Sequence, residues 1–180
     1  MPKKCDKSGY GNVAVAVHWL TVLLIFAVLG IGFRTGQTTD PAAKAMLLQA
    51  HVPLAISVFV LTLFRIVWWF RFDTKPDPVG TDPKWQQVSA KAVHVLFYIV
   101  IIGMTASGIG MLVLSGAGSI IFGGDQGALP DFHDFLPRVP HGLGARLFVA
   151  LLFLHAGAAL YHHFIKRDAT LKRMWFRRGA

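Results

Sequence analysis

Four stretches of this chain, 13–33, 46–70, 93–115 and 143–165, are apolar over the length that a helix needs to cross a bilayer's hydrocarbon core, about 20 residues. That pattern leaves few folds open. Backbone amides inside lipid have no water to bond, so each stretch must satisfy its own hydrogen bonds as a helix. With 54% hydrophobic residues and a mean hydropathy of +0.52, the chain as a whole also fits lipid rather than water as its solvent. The expectation is an all-α, integral membrane four-helix bundle, a single transmembrane domain over 1–180. The connections TDPAAK, DTKPDPVGTDPK and GGDQGALPDFHDFLPRVP carry the turn residues of segments outside the membrane. The SIIF that precedes the last of them is expected to dip into the interface.

Charge gives an orientation. With the N-terminus inside, Lys3, Lys4, Lys7, Arg65, Arg71, Lys75, Lys84, Lys91 and the basic residues from Lys166 to Arg178 fall on the inner side, and only Arg34, Lys44, Arg138 and Arg146 on the outer. The positive-inside rule then puts both termini in the cytoplasm. The net charge of +9 is accounted for by this topology and by attraction to anionic lipid, and points to no nucleic acid. The first apolar run is long, contains His18 and has no small-residue cleavage site behind it, so it reads as a helix and not as a signal peptide. Cys5 is the single cysteine and no C-x-x-C-H is present, so any cofactor would be held without thioethers. The tail KRDATLKRMWFRRGA, with Met174, Trp175 and Phe176 among its cations, suits the inner membrane surface.

The histidines carry the chemistry. In the last segment His141 and His155 stand fourteen residues apart, an interval that returns to within about 40° of one helix face while rising roughly 21 Å. His162 comes back to the same face about 10 Å further on. In the second segment His51 and Arg65 repeat the fourteen-residue interval, and His18 and His94 lie near the inner ends of the first and third. Taken singly, each of these has a bland explanation: a histidine bonded in a helix interface, an arginine snorkelling to the headgroups, Trp19 as an interfacial anchor. His133, in the outer connection, is expected to be solvated. Gly103, Gly108 and Gly110 permit close approach, of a helix more often than of a flat cofactor. Taken together, the histidines sort into an inner level, with His18, His94 and His155, and an outer level, with His51 and His141.

The chain contains no glutamate, which excludes a carboxylate-bridged di-iron site built from Glu and Glu-x-x-His. A four-ligand zinc site is poorly served by imidazoles this sparse. Iron in a porphyrin needs only axial ligands from the protein, and imidazole supplies them. The depth matching pairs His18 with His155 and His51 with His141, for two haems at two levels. His94 with His155 stays open as the inner set. Arg65 is placed to neutralise a propionate at the inner level, and Arg146 at the outer.

HWL in the first segment, QAH followed by FRIVW in the second, KAVHVLFY in the third, and PHGLGARLF with LHAGAALYHHFIKRDATLKRM at the end carry a resemblance over nearly the whole chain. The chain resembles the bacterial di-haem cytochrome b561 family, in the wider group that includes the cytochrome b subunits of hydrogenases and formate dehydrogenases. The resemblance implies a protein of the bacterial inner membrane with two non-covalent haem b groups whose iron ligands are His18, His155, His51 and His141. It further implies a superoxide:ubiquinone oxidoreductase, which takes electrons from superoxide on the periplasmic side and reduces ubiquinone near the inner haem with cytoplasmic protons. Histidine titrates in the range that quinone reduction requires, so His162 and His94 are the candidates for quinone binding or proton delivery. The alternative is an electron-transfer subunit serving a periplasmic hydrogenase or dehydrogenase.

Overall fold

The computed structural model describes residues 4–6, 9–77, 82–125 and 127–176, so the expectations on Lys3, Lys7, Arg177 and Arg178 lie outside the described residues. Four long helices carry the apolar segments: α1 (Asn12–Gln37), α2 (Pro41–Arg71), α3 (Lys84–Ser115) and, after the short α4 (Ala117–Phe122), α5 (Arg138–Tyr161). Each of the four is long and apolar enough to cross a membrane, α5 together with the turn that follows it. This is the all-α membrane architecture expected. Their outward side chains, such as Leu23, Phe26, Val113 and Phe153, are largely exposed, as lipid-facing residues must be in the protein taken alone.

Local chemistry sets the ends. Asp40 Oδ2 accepts from the Ala43 N–H at 2.8 Å, capping α2 just ahead of Pro41 at its first position. Inside the helices, Thr21, Thr35, Ser57 and Thr105 hydroxyls donate to the carbonyl four residues back, which keeps polar groups satisfied in an apolar setting. Gly116 stops α3 with φ 68, a left-handed conformation that suits glycine. SIIF falls in α4, where Ile121 is buried to 1% exposure against protein.

Several helices run a few residues past their apolar segments, as α1 does to Gln37, α2 from Pro41 and α5 from Arg138, and two boundaries have a local cause. α3 begins at Lys84, nine residues before 93, because the polar WQQVSAKA has good helix formers and continues the helix past its apolar part. At the other end α5 stops at Tyr161, and His162–Lys166 form a π-turn that ends at Arg167 with φ 56.

The chain packs as two compact units, and the long helices run through both. One comprises Met1–Thr21, Leu61–Ile99 and Phe148–Ala180; its buried residues include Val15, Thr62, Phe148 and Leu151. The other comprises Val22–Val60 and Val100–Leu147, with Val58, Val100, Ala117 and Ile121 buried.

In the first unit the segments outside the membrane are tied to each other. The Asp73 carboxylate accepts the Cys5 N–H at 3.0 Å and the Trp68 indole N–H at 3.3 Å. Burial alone would push the Asp73 pKa up, but these bonds and one from Thr74 hold it below the usual carboxylate range. Lys166 reaches Asp82 at 2.5 Å and Gln86 at 2.9 Å, and Trp19 donates to the Met174 carbonyl at 2.7 Å.

Candidate functional site

The first unit gathers three imidazoles from three helices. His18 of α1 and His155 of α5 have ring centres 6.3 Å apart at 61°, and His94 of α3 stands 5.2 Å from His155 at 87°. All three are half-buried. Phe97, one turn beyond His94, packs edge-on against His155 at 5.6 Å and against Phe148 at 5.2 Å, walling one side. Arg65 of α2, also half-buried, lies near enough for its charge to act on His18, His155 and His94. His94 Nδ1 donates to the Ala90 carbonyl at 2.6 Å, while His18 Nδ1 is buried without a well-formed hydrogen bond.

His162 and His163 follow His155 in the same unit. His162 Nδ1 is 2.5 Å from Asp168 Oδ2 and 3.4 Å from Thr170 Oγ1. His163 Nδ1 is buried and unbonded, with its ring edge-on to Phe164 at 4.7 Å. Beside it Leu171, Lys172, Trp175 and Phe176 line an open hollow of about 400 Å³.

In the second unit His51 of α2 and His141 of α5 have ring centres 6.5 Å apart at 65°. His141 is held from behind: its Nδ1 is 3.1 Å from the Met104 carbonyl and 3.2 Å from Ser107 Oγ. A donor bond there fixes the Nδ1–H tautomer and leaves Nε2 as the free lone pair. His51 Nδ1 is buried without a well-formed hydrogen bond. Glycines make room for both rings. A Cβ on Gly32 would come 3.1 Å from His51 Cε1, and one on Gly108 3.5 Å from His141 Cε1.

The site residues singled out in the sequence therefore fall into two sets, His18, His155, His94 and Arg65 in one unit and His51 with His141 in the other. Arg146 is exposed, and five residues after His141 it points about 140° round α5 from it. Arg138, three residues before His141, is the cation whose charge acts on that ring. Of the glycines expected to admit close neighbours, Gly108 faces His141 and Gly110 faces Pro137 at 3.2 Å, while Gly103 has nothing within 4 Å. Gly32, Ser107, Arg138 and Asp168 were not legible as site residues. Gly32 is one of two glycines in its segment, and the roles of Ser107, Arg138 and Asp168 depend on which rings face them.

Two imidazoles on opposite sides of one metal have a characteristic spacing. With metal–nitrogen bonds of about 2 Å and roughly 1 Å more to each ring centre, the centres lie about 6 Å apart. The 6.3 and 6.5 Å pairs match it, and the 5.2 Å contact of His94 with His155 is short of it.

A model of the prokaryotic cytochrome b561 family matches residues 9–177. The chain is 26% identical over 174 residues to cytochrome b561 homolog 1 of Escherichia coli (strain K12), covering 94% of this chain and 98% of the relative. It is 31% identical over 172 residues to a probable superoxide oxidase CybB of Yersinia pestis, covering 92% and 94%. It is also 26% identical to a cytochrome b562 of Cereibacter sphaeroides, covering 94% and 96%.

Proposed function

Because this chain belongs to the prokaryotic cytochrome b561 family, membrane proteins that transfer electrons through haem b, we propose that it binds two haem b groups and oxidises superoxide at the expense of ubiquinone. One haem would be held by His18 and His155 and the other by His51 and His141. The observation that carries the reading is the spacing of those two pairs, 6.3 and 6.5 Å between ring centres. Bound there, haem b supplies reversible one-electron exchange.

The remaining roles belong to the chain's own residues. The Met104 carbonyl holds Nδ1 of His141, which leaves Nε2 as the nitrogen free to bind iron. Arg65 offers a half-buried positive charge for a propionate beside His18 and His155. Arg138 is better disposed than Arg146 for that task beside His141. The basic residues favour both termini in the cytoplasm, and so the His51 and His141 pair toward the periplasm.

The Yersinia relative's name supports superoxide as the donor, taken at the periplasmic end. Two superoxide ions give one electron each and leave as oxygen; ubiquinone takes two electrons and two protons. His94 and His162 stand in the unit that contains His18 and His155, where the protons would be delivered.

The test is stopped-flow spectroscopy on the purified holoprotein. A pyridine haemochrome assay should give two b haems per chain, reduced by superoxide and reoxidised on adding a short-chain ubiquinone. Two haems that superoxide leaves oxidised would sink the donor assignment and favour service to a periplasmic redox partner.

A further inference from the structure

The helix that carries His141 and His155 changes character at His162. The α-helical pattern ends at Tyr161, His162–Lys166 widen into a π-turn, and Arg167 takes φ 56, ψ 33. Arg167 is the only non-glycine among the described residues with positive φ, a conformation that costs about 1–2 kcal/mol for a residue with a Cβ. The reversal closes with the Arg167 and Asp168 N–H groups both on the His162 carbonyl, the latter at 3.1 Å.

Its product is a grip on one nitrogen. Asp168 Oδ2 meets His162 Nδ1 at 2.5 Å, Asp168 Oδ1 accepts the Thr170 N–H at 2.8 Å, and Thr170 Oγ1 stands 3.4 Å from the same Nδ1. The two side chains are 13% and 20% exposed. Lys166, two residues before the carboxylate, is engaged instead by Asp82 and Gln86.

We propose that Asp168 is a positioning residue for proton delivery: it holds Nδ1 of His162 so that Nε2 is the atom that protonates a quinone oxygen. The inference rests on the quinone-reducing role of His162 put forward above. In the step, the Nε2–H bond of the protonated ring breaks as the quinol O–H bond forms, the electrons having come from superoxide. The neutral ring keeps Nδ1–H on Asp168 and recovers a proton at Nε2 from water. A carboxylate behind an imidazole fixes both tautomer and direction, which a histidine free to rotate lacks.

The experiment is a double-mutant cycle on the holoprotein, with haem reduced by dithionite so that the donor plays no part, and reoxidation by a short-chain ubiquinone followed at 25 °C. His162→Gln should slow reoxidation about a hundredfold at saturating quinone and Asp168→Asn about tenfold, with the quinone concentration for half-maximal rate unchanged. The double variant should be no slower than His162→Gln alone, because Asp168 acts only through that ring. Effects that multiply, or an Asp168→Asn rate within twofold of the native one, would overturn the inference while leaving His162 its role. A native rate in His162→Gln would instead remove the role of His162 itself. Should Asp168→Asn fail to accumulate with haem, Asp168→Glu and Thr170→Val carry the same cycle: the carboxylate-retaining variant should recover most of the rate, and one as slow as His162→Gln would count against positioning.

Discussion

The His51 and His141 pair and the His18 and His155 pair have nearly the same ring spacing and very different surroundings. Around His51 and His141 the protein contributes two glycines, a backbone carbonyl, a serine hydroxyl and the Arg138 charge, and no further histidine among the described residues has a ring contact with either. Around His18 and His155 stand His94, Phe97 and Arg65, and the same unit holds the His162–Asp168 contact. The difference sorts function by neighbours. On the proposed reading, a pair with one fixed tautomer and the Arg138 charge beside it passes electrons, and a pair beside spare titratable groups couples electrons to protons.

The largest expected effects come from removing the proposed iron ligands. His141→Ala should lower the haem content from two per chain to one and abolish superoxide-driven quinone reduction, and His155→Ala should do the same from the other pair. His94→Ala should keep both haems and slow only reoxidation by quinone. Haem loss in His94→Ala with retention in His18→Ala would reverse the ligand assignment that the 6.3 and 5.2 Å spacings favour.

Next in size is crowding. Gly32→Leu drives a side chain into the His51 ring, whose Cε1 already lies 3.1 Å from where a Cβ would be. Overpacking of this kind costs ~1–3 kcal/mol, and here it should be read as loss of the haem at His51 and His141 with the other retained. Gly103→Ala, with open space around it, should change neither.

Arg65→Gln should act more gently. Removing a positive charge near His18 and His155 disfavours the reduced, more negative state, so one haem potential should fall by some tens of millivolts in a redox titration. Arg146→Gln, exposed and turned away from His141, should shift neither potential appreciably. A larger shift from Arg146 than from Arg65 would reverse the charge placement in the comparison.

These expectations also mark what could be read from sequence. The four membrane helices follow from unbroken apolar length, and the meeting of His18 with His155 and His51 with His141 follows from depth along helices, because a period of 3.6 residues makes a fourteen-residue interval a face. Side-chain backing does not follow from period. Nothing in the run GMTASG says that the Met104 carbonyl rather than another will face His141, since that depends on the rotation of α3 about its own axis. Asp168 is further from reach: as a continued α-helix its residue would point elsewhere, and only the π-turn with Arg167 at φ 56 returns it to His162. The early start of α3 was hidden for the opposite reason, that helix and membrane segment are separate properties of a chain.

The smallest effect separates the same two regions by acid. At Asp168, burial alone would raise the pKa, but the bonds from Thr170 and His162 outweigh it and hold the carboxyl at about 2. Its unfolded value is near 3.9. A group depressed on folding contributes stability that is present above the unfolded value and is lost as pH falls through the folded one. The turn that holds His162 should therefore stay closed at pH 5 and loosen between about 4 and 2. Trp175 reports it, because its ring lies 5.6 Å from Trp19 and the Met174 carbonyl just before it takes the Trp19 indole N–H. The emission change on acidification should vanish in Trp175→Phe, and it should be absent in Asp168→Asn, which has no carboxyl to titrate and should show the loosened turn's emission already at pH 5. An acid transition unchanged in Asp168→Asn would mean that the carboxylate does not secure this turn, and the contrast between a proton-coupled end and a purely electronic one would then rest on His94 alone.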